Sequence, residues 1–373
     1  MKLYFIAGER SGDLHGGNLI RALKSLQPNL IIRGFGGDAM QQAGMELVVH
    51  YRHLALMGFG EVLRHLGTIR QNLNRCQADI LNFKPYALVL IDFAGFNLRM
   101  ARFAKSHGIM VFWYISPKVW AWNNRRARRL KAFVDRMFVI LPFEKDFFLH
   151  YGWKVDYVGN PVIDAINTFT FNETFLQEHN LPNTYIALLP GSRRQEVQHM
   201  APVLAQVAAR FPEHNFVVPQ VDNLDDAAYH TLMRQSNIRV LKAPAYDILR
   251  HARAAVVTSG TATLETALLR VPQVVVYRTG WLSYCLGKWL IRVPFISLVN
   301  LIAGKAVVRE LIQHQANVVN ISNELSCLMN DEAYRQTILA GYDEVRQALG
   351  NEPASKRTAE LMLNYLSKKD TAR

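Results

Sequence analysis

The stretch Ala255-Val256-Val257-Thr258-Ser259-Gly260-Thr261-Ala262-Thr263-Leu264-Glu265 decides the fold of this chain. The short apolar run 254–257 predicts a buried strand, residues 258–261 break it, and a helix follows with Leu264 and Leu268 on one face. The free N–H groups and the dipole of such a helix start favour an anion just beyond the turn. Three hydroxyl groups in the turn add hydrogen-bond donors. An ordinary capped helix in any α/β domain has the same pattern.

The alternation of apolar runs and helical segments continues through both halves of the chain. Strands are predicted at 3–7, 30–37, 86–91, 111–115, 137–140, 155–158, 185–189, 216–219, 238–241, 254–257 and 273–277. This alternation predicts an α/β fold with a mostly parallel sheet in each half. A chain of 373 residues exceeds one ordinary core,. We therefore expect two Rossmann-like domains facing across a cleft, residues 1–165 and 166–349, and a terminal helix in 350–373. The sequence leaves open whether that helix packs back on the first domain.

Composition indicates the class of partner and the compartment, but no specific function. The net charge of +13 predicts an anionic partner, such as nucleic acid, anionic lipid or a phosphorylated substrate,. The three cysteines are widely spaced and odd in number, so neither a metal site nor a disulfide framework follows, and a reducing cytosol fits,. The glycines after the first strand lack the dinucleotide spacing, which argues against NAD or FAD. We predict no metal and no cofactor.

Carboxylates follow two of the predicted strands in the first half. Glu9 and Asp13 come after the first strand, and Asp92 ends the strand 86–91. Ligands of open α/β sheets bind at the carboxyl ends of strands, and a desolvated carboxylate there can act as a base. The alternative for all three is that they only cap the helices that follow.

A second helix start suited to anions lies in the second half. Residues 190–196 open a helix after the strand 185–189, with Arg193 and Arg194 beside it. Ser192 and Gln195 have the spacing of a capping box. Because two such sites lie in one half, we expect the second domain to hold a nucleotide-diphosphate donor. The first domain would then hold the acceptor.

Two segments could contact an anionic surface. The apolar segment 54–60 precedes a basic helix whose apolar stripe is Val62, Leu66, Ile69 and Leu73. The stretch 54–73 could lie in a membrane surface, although such helices more often pack on a core,. The segment 118–136 carries seven cations, Lys118, Arg125, Arg126, Arg128, Arg129, Lys131 and Arg136. It suits phosphate, lipid or nucleic acid, or is a solvated helix face. The hydrophobic window 281–303 is interrupted by charges, so we reject a membrane span there.

Five short motifs, taken in order, resemble a known family. They are Ala-Gly-Glu-Arg-Ser-Gly-Asp at 7–13, Ile-Ser-Pro-Lys-Val-Trp-Ala-Trp at 115–122, Leu-Pro-Phe-Glu-Lys at 141–145, Leu-Pro-Gly-Ser-Arg at 189–193 and Asn-Leu-Ile-Ala-Gly at 300–304. The segment 259–265 resembles the nucleotide-sugar motif of GT-B glycosyltransferases. Each motif is weak alone, but the ordered set is similar to the lipid-A-disaccharide synthase family across residues 6–311.

The resemblance implies a GT-B fold and a specific reaction. UDP-2,3-diacylglucosamine would transfer its sugar to the 6-hydroxyl of 2,3-diacylglucosamine 1-phosphate, giving a β-1,6 disaccharide and UDP. An α-linked donor and a β-linked product imply a single inverting displacement with one base. Helix N-termini and arginines would neutralise the departing diphosphate, so no metal is required.

The resemblance also assigns site residues. Asp92 is the expected base with Glu9 as its rival, and Asn300 matches a functional asparagine. The residues expected to bind UDP are Ser192, Arg193, Ser259, Gly260, Thr261 and Glu265, with Glu265 on the ribose. Acylated substrates imply a peripheral position on the cytoplasmic face of the inner membrane, against anionic lipid. The expected lipid contacts are Leu66, Ile69, Leu73, Arg125 and Arg126, and the sequence leaves open whether the protein forms a homodimer.

Two rival functions differ from this expectation. Another GT-B enzyme, acting on soluble or undecaprenyl-linked sugars, or a UDP-sugar epimerase would use a similar nucleotide site, but the ordered motifs argue against it. A basic RNA-binding protein would use the segment 118–136, and would leave both strand–turn–helix sites unexplained. We therefore expect no nucleic-acid partner.

Overall fold

The computed structural model describes residues 1–54, 66–122, 125–280 and 293–370. The chain forms two compact units. The first comprises Met1–Asp164 together with the chain from Asn351 onward, and the second comprises Ala165–Gly350. Each unit is built on its own parallel sheet.

The first unit contains a seven-stranded sheet in the order β3-β2-β1-β4-β5-β6-β7, and every pairing in it is parallel. The strands are β1 Lys2–Ala7, β2 Ile31–Gly36, β3 Glu46–His50, β4 Ala87–Ile91, β5 Met110–Tyr114, β6 Arg136–Val139 and β7 Asp156–Tyr157. The second unit contains a six-stranded sheet in the order β10-β9-β8-β11-β12-β13, also parallel. Its strands are β8 Tyr185–Leu189, β9 Phe216–Pro219, β10 Ile238–Leu241, β11 Ala252–Thr258, β12 Gln273–Tyr277 and β13 Glu310–Ile312.

Helices connect the strands, as parallel pairing requires. In chain order the described helices are α1 Arg10–Leu26, α2 Asp38–Gln42, α3 Leu66–Phe83, α4 Ala94–Ser106, α5 Val119–Trp122, α6 Arg125–Phe133, α7 Glu144–His150, α8 Pro161–Thr168, α9 Phe175–Glu178, α10 Arg194–Ala209, α11 His230–Met233, α12 Ala245–Arg250, α13 Thr261–Leu268, α14 Leu298–Ala303, α15 Val318–Asn330, α16 Glu332–Leu349 and α17 Ala354–Asp370. Within the described ranges, no helix combines the length and apolar character needed to cross a bilayer.

Both faces of the first sheet are buried. Tyr4 and Ile6 of β1 join one hydrophobic cluster, whereas Leu3 and Phe5 join the other, because successive side chains of a strand point to opposite faces,. This explains why β1 and β4 are continuous apolar runs rather than alternating ones.

The last helix belongs to the first unit. Its residues Met362 and Leu366 are buried in the same cluster as Leu3 and Phe5. The Asp164 carboxylate accepts hydrogen bonds from the backbone N–H groups of Ala354 (2.9 Å) and Ser355 (3.0 Å). One carboxylate therefore caps the returning helix α17 at the point where the chain leaves the first unit.

The sequence-based strand prediction missed two edge strands, β3 and β13. The first has only three apolar residues between Glu46 and His50, and the second has three residues in all, so neither forms a long apolar run,. Between β9 and β10 the chain forms a 3-10 turn at Asp226–Tyr229 followed by the single turn α11. Most of the hydrophobic window 281–303 lies outside the described residues.

Candidate active site

Each sheet reverses its strand order once, and the polar loops singled out by the sequence follow those strands. In the first sheet β1 and β4 are neighbours, with Ala7 paired to Ile91, so Glu9 and Asp92 emerge side by side at the carboxyl edge. Open α/β sheets bind ligands outside such a switch point. The topology therefore brings together the two carboxylates that the sequence offered as rival bases.

Glu9 does not cap the helix that follows it. It occupies the N-cap position of α1, but its side chain makes no capping hydrogen bond. Asp13 instead serves a different helix: its buried carboxylate accepts from the backbone N–H groups of Gly37 (2.7 Å), Ala39 (3.0 Å) and Met40 (3.1 Å) at the start of α2. Asp13 is therefore structural, whereas Glu9 is exposed and available.

Asp92 is held by an unusual backbone. It has a φ of 45° and Phe93 a φ of 46°, both in the left-handed region that ordinary residues avoid,. Strain of this kind persists where the surroundings fix it, often at functional sites. The Phe93 ring lies over Gly8 so closely that a Cβ built there would be 2.2 Å from the ring. Gly8 therefore allows the turn that places Asp92.

Asn97 holds the same turn through hydrogen bonds to its backbone. Its buried amide donates to the backbone carbonyls of Ile91 (3.2 Å) and Asp92 (2.8 Å). The Asn97 amide thus takes over the carbonyls at the strand end, and the N-cap of α4 is Phe93. The Asp92 side chain therefore does not cap that helix.

The two carboxyl groups interact directly. Burial, and then the charge and hydrogen bond of Glu9, raise the pKa of Asp92 to about 7, and Lys118 opposes this shift. A like charge beside a carboxyl group disfavours its ionised form, so Glu9 acts on Asp92 in the same direction as burial,. A carboxylate with a pKa near neutrality suits general-base catalysis.

Sequence reasoning missed one buried acid near this pair. Glu144 is 1 % exposed, at the first position of α7. Its carboxylate holds the turn between β5 and α5, which carries Lys118. Glu144 lies in the motif 141–145, which the sequence analysis used only to recognise the family, without giving Glu144 a role.

In the second sheet the switch point lies between β8 and β11, where Val257 pairs with Leu189. The loop after β8 differs from the expected capping box of Ser192 and Gln195. Helix α10 begins one residue later, so the Glu196 carboxylate accepts from the backbone N–H groups of Ser192 (2.9 Å) and Arg193 (3.2 Å). These two donors, predicted to face an anion, are therefore occupied.

The arginines of this loop have different surroundings. Arg194 pairs with Asp225 at 2.9 Å, whereas the Arg193 side chain is 75 % exposed and lies 3.7 Å from Glu196. Arg193 thus remains available to a diphosphate through its guanidinium, and Ser192 through its side chain only. Gly191, with a φ of 124°, lies against Glu196, which leaves no room for a Cβ.

The turn after β11 is partly open. The Ser259 hydroxyl donates to the carbonyl of Ile296 (2.8 Å), so it is not the free donor that the sequence suggested. Gly260 is the N-cap of α13, and a Cβ added there would meet nothing within 4 Å. Thr261 is exposed at the first helical position. This helix start keeps the open approach expected of a phosphate site.

Glu265 lies one turn further along α13. It accepts a hydrogen bond from the Tyr246 hydroxyl (2.9 Å), and burial raises the pKa of its carboxyl. Tyr246 in turn packs edge-on against Phe169. The carboxylate is therefore fixed in direction by an aromatic residue that the sequence did not single out.

The contacts of Asn300 do not support a catalytic role. It is 1 % exposed, and its amide donates to the Val308 carbonyl (2.9 Å) and the Glu310 carboxylate (2.9 Å). Its side-chain oxygen accepts from the backbone of Val307 (2.8 Å) and Val308 (3.0 Å). All four hydrogen-bonding positions of the amide are used. Asn300 thus shapes the segment before β13.

The expected lipid contacts are only partly described. Leu73 packs against the hydrophobic cluster of the first unit, followed on α3 by the buried Cys76 and Ile80. This part of the helix therefore packs on the core with Leu73 half-buried, and the lipid contact expected of Leu73 stays a prediction. Ile69 is half-buried, and Arg126 lies half-buried on α6. The side chains of Leu66 and Arg125 lie outside the described residues.

The fold is shared with an epimerase and a glycosyltransferase of known structure. UDP-GlcNAc 2-epimerase from Neisseria meningitidis, solved bound to UDP-GlcNAc, matches with a TM-score of 0.71 at 15 % identity, covering 98 % of this chain and 100 % of that one. The glycotransferase of kitacinnamycin matches with a TM-score of 0.67 at 15 % identity over 98 % and 99 % of the two chains. At such identity only the fold follows, and it is the GT-B fold.

The sequence comparisons define the family. The family model described as lipid-A-disaccharide synthetase matches residues 3–364. Lipid-A-disaccharide synthase from Geobacter sulfurreducens is 37 % identical over 98 % of both chains, and that from Coxiella burnetii is 36 % identical over 97 % of both. The chain belongs to the lipid-A-disaccharide synthase family. It is a glycosyltransferase of lipid A biosynthesis, acting on lipid A precursors.

Proposed function

We propose that this enzyme joins UDP-2,3-diacylglucosamine to 2,3-diacylglucosamine 1-phosphate by one inverting displacement. The acceptor 6-hydroxyl oxygen attacks C1 of the donor sugar, and the bond from C1 to the diphosphate oxygen breaks. The hydroxyl proton passes to Asp92, and UDP departs. A β-1,6 disaccharide 1-phosphate remains, because attack opposite an α-linked leaving group inverts the anomeric centre.

The Glu9–Asp92 pair is the observation that carries this proposal. Inversion needs one base near neutrality, and burial together with Glu9 raises the pKa of Asp92 to about 7,. Asp92 is the more buried of the two and is fixed by the Asn97 amide, whereas Glu9 is exposed. We assign the base to Asp92 and the tuning of its pKa to Glu9.

The second unit is the proposed UDP site. Gly260 and Thr261 at the start of α13 offer backbone donors with an open approach, and the exposed Arg193 supplies a cation for the diphosphate,. Glu265, oriented by Tyr246, lies one turn along α13, where it would accept from the ribose hydroxyls. Asn300 and Ser259 shape this site through the segment 296–310.

Peripheral membrane contact is the proposed route to acylated substrates. On α6, Ala127 and Leu130 are buried, whereas Arg128 and Arg129 are exposed, which gives one helix a core face and a cationic face. Cations at a surface attract anionic lipid. Charge reversal at Arg128 and Arg129 should release the protein from phosphatidylglycerol vesicles. The same reversal at the exposed Arg210 and Arg234 of the second unit is the matched control, and equal release by both pairs rejects this face.

Product analysis tests the reaction. The purified protein should release UDP and form a β-linked disaccharide from the diacylated donor and acceptor, with the linkage read from the anomeric coupling constant. UDP-N-acetylglucosamine should give neither product. Turnover of UDP-N-acetylglucosamine alone, by transfer or by epimerisation at C2, would reject the proposed substrates. An α-linked product would reject the single displacement.

A further inference from the structure

The buried Glu144 is unused by the proposed chemistry, yet it is one of the most completely hydrogen-bonded side chains in the first unit. One carboxylate oxygen accepts from the Ser116 hydroxyl and from the Trp120 indole N–H (3.0 Å). The other accepts from the backbone N–H groups of Ile140 (3.1 Å) and Leu141 (2.9 Å). The carboxylate therefore ties the turn after β5 to the end of β6.

All four partners of Glu144 are donors. Burial raises the pKa of the Glu144 carboxyl, whereas the four hydrogen bonds favour its ionised form,. A buried charge without such partners would be costly, so the four bonds and the charge depend on each other. A neutral glutamine has the same shape but presents one N–H₂ group, which would face donors on one side. The site is thus specific for the carboxylate.

The turn that Glu144 holds carries Lys118. Ser116 precedes Lys118 by two residues and Trp120 follows it by two, and both are buried while Lys118 is exposed. The Trp120 ring is also packed edge-on against Phe143 at 4.9 Å. The two anchors therefore define where the ammonium group of Lys118 can reach. Strand β5 pairs with β4, with Tyr114 opposite Ile91, and the backbone N–H of Asp92 donates to the Tyr114 carbonyl (3.4 Å), so the turn after β5 lies beside Asp92. The charge of Lys118 lowers the pKa of Asp92.

We propose that Glu144 is a positioning residue for glycosyl transfer: it holds the turn of Ser116–Trp120 so that Lys118 stays beside the Glu9–Asp92 pair. The inference rests on the proposed function, in which Asp92 is the base. Lys118 favours the ionised form of Asp92, against burial and Glu9, which favour the protonated form. The position of one exposed cation therefore adjusts the pH range in which the base is active.

Among the described residues, the charged and titratable groups that act on Asp92 and Glu144 can be named one by one. Asp92 faces Glu9 from the start of α1, Lys118 from the turn after β5, and the backbone N–H of Phe93. Glu144 faces Ser116, Trp120 and the two backbone N–H groups, and its charge raises the pKa of the nearby Tyr157 hydroxyl, after burial. If Lys118 moves away, the pKa of Asp92 rises further, so the acidic limb of the rate profile moves to higher pH.

The test is the pH profile of kcat/KM for glycosyl transfer in full-length variants. Lys118→Met should move the acidic limb upward by roughly half a pH unit to one unit, as loss of a nearby opposite charge does for a partly exposed acid. Glu144→Gln should move it in the same direction, and the double variant should show no further shift. Trp120→Phe keeps an aromatic side chain, smaller than indole, and removes one of the four donors to Glu144, so it should give a smaller shift while remaining folded.

Glu324→Gln is the matched control, since Glu324 is a buried acid of the second unit bonded to Tyr334 and Arg309. It should lower the melting temperature without moving the limb. The positioning role is overturned if the acidic limb of kcat/KM in Trp120→Phe lies at the same pH as in the wild type. The same result in Glu144→Gln, if that variant folds, also overturns it. A further shift in the double variant also overturns it. Retention of full rate by Asp92→Asn would instead reject the proposed function, so the two failures are distinguishable.

Discussion

Glu9 and Asp92 follow neighbouring strands at the carboxyl edge of the first sheet, and Glu9 raises the pKa of Asp92. They are 83 residues apart in sequence and meet because β1 and β4 are neighbouring parallel strands in register. One of the two is exposed and the other is half-buried in a strained turn. This asymmetry assigns them different roles, and most of the predictions below follow from it.

The activity should depend on the ionisation of Asp92. Because the base must be deprotonated, kcat/KM should rise with pH through about 7, the value to which burial and Glu9 raise the pKa of Asp92. The measurement is the initial rate of UDP release between pH 5 and 9 under subsaturating substrate. A profile that is flat across this range would contradict the assignment.

The ionised form of Asp92 should lower the free energy of unfolding at pH values above its pKa. Its pKa is raised on folding, so its favourable contribution is complete below the unfolded value near 4 and is lost as pH rises through about 7,. Asp92→Asn should therefore raise the free energy of unfolding at pH 8 by about 1–2 kcal/mol relative to pH 5, allowing for partial exposure. Thermal unfolding at the two pH values checks this. An equal gain at both would reflect only the tolerance of Asn for positive φ.

Two glycine substitutions test the turn that holds Asp92. Gly8→Ala places a Cβ 2.2 Å from the Phe93 ring, so the ring and the neighbouring Asp92 must shift. We expect kcat to fall at least roughly tenfold, since small misplacements of a reacting group are costly. Gly95→Ala, two residues beyond Phe93, meets nothing within 4 Å and should leave kcat unchanged. Equal kcat values for the two variants would show that the turn holding Asp92 does not affect catalysis.

Gly260 tests the proposed phosphate site. A methyl group there contacts nothing within 4 Å and its backbone is extended, so Gly260→Ala should leave the melting temperature unchanged. If a diphosphate approaches the start of α13, the same methyl group should weaken UDP binding roughly tenfold or more. Isothermal titration with UDP measures the difference. Gly280→Ala, at an exposed and equally open position, should bind UDP normally. Unaltered UDP affinity in Gly260→Ala would place the phosphates elsewhere.

Much of the fold could be predicted from sequence because the central strands are buried on both faces. β4 and β8 are apolar throughout, and β1 and β11 contain the apolar runs 3–7 and 254–257. Each of the four strands is followed by a polar turn and a helix. This pattern leads to a parallel sheet and to ligand-binding turns at its carboxyl edge. The edge strands β3 and β13 carried no such signal, since they are short or mixed in polarity.

The partners of individual side chains could not be predicted in the same way. Nothing in the sequence indicates that Glu196 occupies the N–H groups of Ser192 and Arg193, because a shift of one residue in the helix start changes which acid caps it. Asn300 illustrates a second limit. A family motif identifies an important residue, but only the contacts distinguish an amide that shapes a segment from one that faces substrate.

The rate of glycosyl transfer by Asp92→Asn, beside Glu9→Gln, tests the central claim most directly. Asp92→Asn should lower kcat by a factor of about 10² to 10⁴, the usual contribution of a general base, while UDP binds with unchanged affinity. Glu9→Gln should retain most of the rate and move the acidic limb to lower pH, because the pKa of Asp92 falls when the neighbouring charge is removed,. An Asp92→Asn enzyme that retains the wild-type rate, or a Glu9→Gln enzyme that alone is inactive, would contradict the account.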